Sequence, residues 1–180
     1  MASNRNYTVI VSRFNQRKIR ERINMTRKDL TERITMYLMA VGEECIKIAR
    51  EKGDYNDITG NLRSSIGYVV LVDGKPIQQS MSQRTNVAPG YRTVMRKNAD
   101  GSESVSRQKI GGDGGEGATQ GRELLDRLKS EYPRGCVLIV CAGMNYAAYV
   151  ENIHGKRVLV DAKLAAEKLI NDFIKKLTER

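Results

Sequence analysis

Between residues 78 and 119 the chain carries few apolar side chains, and 8 of its 16 glycines fall between residues 90 and 121. Any core must therefore come from the segments on either side. Structureless loops beyond about 12–15 residues are uncommon inside a compact domain and usually carry function. The stretch is accordingly expected to be an extruded loop or interaction arm, too glycine-rich and polar to fold alone and ordered by docking. A local hairpin is expected around Asp100-Gly101, because residues 91–96 and 104–108 alternate weakly on either side. The cluster Gly111-Gly112-Asp113-Gly114-Gly115 invites a phosphate-loop reading, but such loops follow a strand and end in Gly-Lys-Ser/Thr. Here Ala118-Thr119-Gln120 follow, so a flexible loop is expected instead.

The flanking segments have clear periods. Leu30, Ile34, Leu38, Val41, Cys45, Ile48 and Ala49 recur at helical spacing, with Thr26 as the expected N-cap, Asp29 three residues on, and Gly53 as the stop. Residues 66–72 read as a strand, Asp73-Gly74 as a hairpin turn, and Lys75-Pro76-Ile77 as the start of the return strand. Residues 118–132 read as a helix ended by Pro133. The run Cys136-Val137-Leu138-Ile139-Val140-Cys141-Ala142, the most apolar in the chain, is expected to be the central, doubly covered strand. Residues 145–151 fit a helical turn packed on the sheet. Val158-Leu159-Val160 reads as extended, and Asp161 as the cap of a final helix. The fold class expected is α+β: a mostly antiparallel, twisted sheet of about four strands, with the long N-terminal and the C-terminal helices on one face. Residues 1–25 read as a basic N-terminal arm and residues 26–180 as one domain carrying the arm at 78–119. A hydrophobic fraction of 40% suffices for such a core.

Charge is unevenly spread. The chain has 31 basic and 21 acidic residues, a net +10. Residues 5–28 hold eight bases (Arg5, Arg13, Arg17, Lys18, Arg20, Arg22, Arg27, Lys28) against Glu21, so 8 − 1 = +7 lies there. A second excess, from Arg84 to Lys109, includes Arg92, Arg96 and Lys97. Such charge attracts anionic partners. Two readings stand side by side: docking onto an acidic protein surface, and contact with nucleic acid, for which Tyr7 and Phe14 are available to stack. No run approaches the roughly 18 apolar residues of a membrane span, and residues 1–14 lack a secretory apolar core, so a soluble, unexported chain is expected.

Catalytic chemistry finds little footing. His154, the only histidine, sits in the polar turn Asn152-Ile153-His154-Gly155-Lys156. Cys45, Cys136 and Cys141 are expected to be reduced, structural thiols; Cys136 and Cys141, five apart, should face opposite sides of their strand. One histidine and three scattered cysteines fall short of a zinc set. No enzyme activity, metal or cofactor is expected.

Two short stretches remain. Thr59-Gly60-Asn61-Leu62-Arg63-Ser64-Ser65-Ile66 follows the long helix, and Asn145-Tyr146-Ala147-Ala148-Tyr149-Val150-Glu151 precedes Gly155, Val158-Leu159 and Ala162. Gly60 suits a positive φ between helix and strand. Arg63 is expected to pair with an acid across a subunit boundary, such as Glu151, and Tyr146 and Tyr149 to pack their helix against the sheet. In order and spacing the two stretches resemble the neck, or tail-completion, proteins of tailed bacteriophages, the small head–tail joining family. That family has a T-G-x-L-r-x-S-i element after its first helix, then Y-A-x-Y-V-E-x-G, then a C-terminal helix. This sequence departs by inserting Asn152-Ile153-His154 before Gly155 and by carrying Val160 where the family has proline. The resemblance implies a non-enzymatic virion protein at the neck, made in the host bacterial cytoplasm. It further implies a homo-oligomeric ring between a portal or adaptor protein and the tail tube, around a channel for DNA, with no membrane partner. Under it, Arg17, Lys18, Arg20, Arg22, Arg63, Arg92, Arg96, Lys97 and Glu151 are the expected partner-binding residues.

Overall fold

The strand Ile66–Val72 (β1) organises the protein: Ile66, Tyr68, Val69, Val70 and Leu71 have 0% of their surface exposed. The computed structural model describes residues 15–55, 57, 59–83, 90–98, 100–153 and 155–179. Arg5, Tyr7, Arg13, Phe14, Arg84 and His154, noted above, lie outside the described residues. The chain divides into two units, Met1–Arg33 and Ile34–Arg180.

Helix α1, Gln16–Glu51, runs through both. It begins ten residues before Thr26, so Thr26 is not its cap. Residues 16–25 are mostly strong helix formers and need no interior start signal. The Asn15 side-chain oxygen accepts from the Lys18 amide at 3.2 Å, which is N-cap geometry, while the Thr26 hydroxyl donates back to the Arg22 carbonyl at 3.0 Å. In the first unit the described residues up to Leu30 are exposed and carry Arg17–Glu21 and Arg33–Asp29 ion pairs at 2.9 and 3.1 Å.

The second unit holds a three-stranded antiparallel sheet in the order β2 (Lys75–Met81), β1, β5 (Cys136–Ala142). Thus β5, expected at the centre, lies at an edge. It has a continuous apolar run, but centrality is decided by which strand is paired on both sides, and that is β1. The β1–β2 turn is the expected Asp73-Gly74, both at positive φ (48° and 77°). One face, through Ile66, Tyr68 and Val70, packs against α1, the short helix α4 (Ala147–Asn152) and α5 (Val160–Thr178). The other, through Val69 and Leu71, packs against Leu125 of α3 (Gly115–Lys129). Tyr37 stacks on Phe173 with ring centroids 4.0 Å apart and donates its hydroxyl to the Leu169 carbonyl at 2.7 Å, fixing α5 against α1. The α+β class with an antiparallel sheet and both long helices on one face stands.

Residues 78–119 are far more regular than a loop. Strand β2 runs on to Met81, β3 (Gly90–Lys97) and β4 (Glu103–Ile110) form a separate antiparallel hairpin, and α3 starts at Gly115. The hairpin expected around Asp100-Gly101 is present. Asp100 Oδ1 accepts from the Ser102 amide and hydroxyl at 2.9 and 2.6 Å, and Gly101 takes φ +84°. A backbone ladder needs no apolar side chains, which is why composition concealed it.

Val158-Leu159 is not a strand but the approach to α5, with Val158 buried in the core. Asp161 falls inside the first turn of α5 and caps nothing.

Candidate functional site

The two stretches that composition does not explain meet in space. Asp57 accepts from the Leu62 and Arg63 amides, both at 3.2 Å, and so holds the start of α2 (Asn61–Ser64), while Gly60 supplies φ +76°. Asn61 then ties α2 to α3: its side-chain Nδ2 donates to the Glu116 carboxylate at 3.0 Å and its side-chain Oδ1 accepts from the Gly117 amide at 3.3 Å. The glycine cluster is the surface on which α2 rests. A Cβ at Gly117 would fall onto the Asn61 carbonyl, and one at Gly114 onto the Ser64 hydroxyl. The flexible loop expected there is instead a strip selected for close approach. From the second stretch, Ala147 and Val150 join Leu62 and Ile66 in one core cluster, and Tyr146 lies in the field of Asp57 and Glu116; burial, with those carboxylates, raises its pKa.

Glu151 is occupied within the chain. Its Oε1 accepts from the Leu159 and Val160 amides at 3.0 and 2.9 Å, supplying the cap that α5 lacks locally. Within the chain Arg63 makes no ion pair with it. The Arg63 guanidinium sits over the Tyr55 ring, 5.1 Å from its centroid, and donates to the Gly53 carbonyl at 3.5 Å. Tyr149 is 54% exposed, and Ala147 and Val150 do the packing expected of the two tyrosines. Replacing Glu151 by Ala orphans two amides at the positive end of α5 and is expected to cost about 1–2 kcal/mol. Glu151→Gln, which keeps an acceptor, should recover most of that in a urea melt; equal losses for both variants would show that capping is not its role.

The remaining expected partner residues are dispersed. Arg17, Lys18, Arg20 and Arg22 are exposed on the first turns of α1. Arg92 and Arg96 share one face of the β3–β4 hairpin, opposite Gln108 and Ser104. Lys97 lies on the other face with Tyr91, Met95 and Val105, which are 65%, 68% and 63% exposed. Both faces of this ribbon are therefore open: one basic, the other apolar with basic flanks.

Sequence reading missed Arg50. It sits one residue before the end of α1 and, with Glu51, Arg63, Ser82 and Gln83, lines a cleft of about 520 Å³. A larger apolar groove of about 720 Å³ lies among α1, α5 and β5, lined by Leu138, Val140, Ile170 and Phe173 among others. Cys136 faces this groove and Cys141 the opposite side of β5, as the five-residue spacing requires. Burial pushes the Cys141 thiol up to about 12 and raises Cys45, whose thiol lies 3.5 Å from the Ala162 carbonyl. Neither is a ready nucleophile. Among the described residues no group of three His, Cys, Asp or Glu side chains is placed to hold a metal, and no helix is long and apolar enough to cross a membrane.

No family model, no curated protein and no solved structure matches this chain.

Proposed function

We propose that this protein is a structural subunit of the head–tail joint of a tailed bacteriophage. In this reading it is a neck-ring or tail-completion protein, seated between the portal or adaptor and the tail tube, made in the host cytoplasm and retained in the virion. It works by docking, without catalysis or cofactor. One observation supports the reading: the two stretches on which the resemblance rests share one core, where Leu62 and Ile66 of the first cluster with Ala147 and Val150 of the second, while the glycine strip seats the first on α3. Asn61 spends its side chain on tying α2 to α3, and Glu151 on capping α5, which suits a scaffold. The open β3–β4 ribbon, with an apolar and a basic face, suits contact with neighbouring subunits.

The rival reading is a basic nucleic-acid-binding protein, favoured by the exposure of Arg92 and Arg96 on one face of the ribbon and of Arg107 with Tyr91 on the other. Two measurements separate them: the solution mass of the full chain, alone and with portal-side and tail-tube proteins, and duplex-DNA binding over a salt series. The head–tail reading expects a ring-sized mass or co-migration with a neighbour, and weak DNA binding. It is overturned by a monomer that ignores both neighbours yet binds duplex DNA with a salt slope rising by about 0.9 per phosphate contact.

A further inference from the structure

Arg50 and Arg63 come from separate elements, the end of α1 and the four-residue α2, and line one cleft. The Nη groups of Arg50 are used to fix it. One donates to the Ser82 hydroxyl, the other to the Ile66 carbonyl at 2.5 Å and the Ser82 carbonyl at 3.2 Å. Arg63 is held over Tyr55. The Nε atoms of both arginines are buried and have no hydrogen-bond partner among the described residues. Nor does either guanidinium have a carboxylate within 4.0 Å among those residues. Glu51 lines the cleft but is exposed, and Glu43, which acts on Arg50 through its field, is hydrogen-bonded to the Tyr68 hydroxyl at 2.8 Å. Tyr55 supplies no countercharge, since burial pushes its hydroxyl up to about 12 and keeps it neutral. Burial lowers the Arg50 pKa, and the opposing fields of Tyr55 and Glu43 offset this only in part.

Partly buried charges are ordinarily paired, because an unpaired one forfeits hydration with no return. An Nε–H beside an Nη–H is the fork that matches the two oxygens of a carboxylate or phosphate. Arg63, held over Tyr55 with one Nη contact to the Gly53 carbonyl, keeps such a fork. Arg50, whose Nη groups are engaged, adds its charge and its unpartnered Nε–H, and the two anchored cations form a preorganised receptor.

We propose that the Arg50–Arg63 cleft is an oxyanion-binding site, which takes either free phosphate or the carboxylate of an acidic peptide segment. The site does not depend on the head–tail reading. The test is amide NMR on the full chain at constant ionic strength, titrated separately with inorganic phosphate, acetate and a short poly-glutamate peptide. Saturable shifts at the Ser82, Gln83 and Arg63 amides are expected, with affinity reduced about tenfold or more in Arg63→Gln. Tighter binding of phosphate identifies a free anion as the ligand; tighter binding of the peptide identifies an acidic segment. Should Arg63→Gln fail to fold, Arg63→Lys carries the comparison, since it keeps a cation over Tyr55 but loses the fork. Absence of saturable shifts with all three probes, or unchanged affinity in the folded variant, overturns the proposal.

Discussion

Gly117→Ala is expected to destabilise the protein by about 3 kcal/mol or more, the upper range for overpacking. The added methyl would overlap the carbonyl oxygen, carbonyl carbon and Cα of Asn61, all backbone atoms. No rotamer change relieves such a clash, so either α2 or the first turn of α3 must move. Movement would break the Gly117–Asn61 hydrogen bond and disturb the close seat of Gly114 on Ser64 as well. For a domain of this size that loss corresponds to a melting temperature lower by about 6–12 °C. Gly111→Ala supplies the control from the same cluster. A Cβ there meets nothing within 4 Å, and replacing glycine at an unstrained site narrows the unfolded ensemble, so the change should lie within about 0.5 kcal/mol of neutral. Equal, small effects at Gly111 and Gly117 in denaturant melts would return the whole cluster to the flexible-loop reading.

Under the head–tail reading proposed above, reversal of Arg17, Lys18, Arg20 and Arg22 to glutamate is expected to abolish assembly onto the neck while leaving the domain folded. All four side chains are exposed, and they belong to the unit Met1–Arg33, whereas the whole sheet lies in Ile34–Arg180. The helix itself should not suffer. Glutamate is a strong helix former, and the first turn of α1 now has no acidic residue to complement the positive end of its dipole. Lys18 and Arg22 stand one turn apart as like charges, and the reversal changes their shared sign. At Arg17, by contrast, it replaces the exposed ion pair with Glu21 by a like-charge pair, a loss of about 0.5–1 kcal/mol that the gain at the helix dipole offsets. Circular dichroism should thus report helicity close to that of the unaltered protein, so that lost assembly reads as lost charge complementarity. Rim charges of this kind govern association rate and register, and the defect should be mimicked by high salt in the unaltered protein. Normal assembly of the variant, with DNA packaging or ejection impaired instead, would move these residues to the channel.

The periodic segments were legible because their signals are local. Apolar spacing marked most of α1, α3 and α5, Asp73-Gly74 marked its turn, and a five-residue separation sent Cys136 and Cys141 to opposite faces of one strand. The weak alternation around Asp100-Gly101 was enough to locate a hairpin, though not its extent. What tertiary structure alone decided were relations between distant residues. Centrality passed from the apolar β5 to β1 because hydrogen-bond pairing on both sides, not hydrophobicity, makes a strand central. The glycine cluster changed from loop to docking strip because α2, more than fifty residues away in sequence, requires that space. Glu151 became a cap because the chain returns Leu159 and Val160 to it. Arg50 acquired its setting only when the fold brought Arg63 and Ser82 to the same cleft. Composition and period report which faces are apolar; they carry no record of which backbone will lie against which.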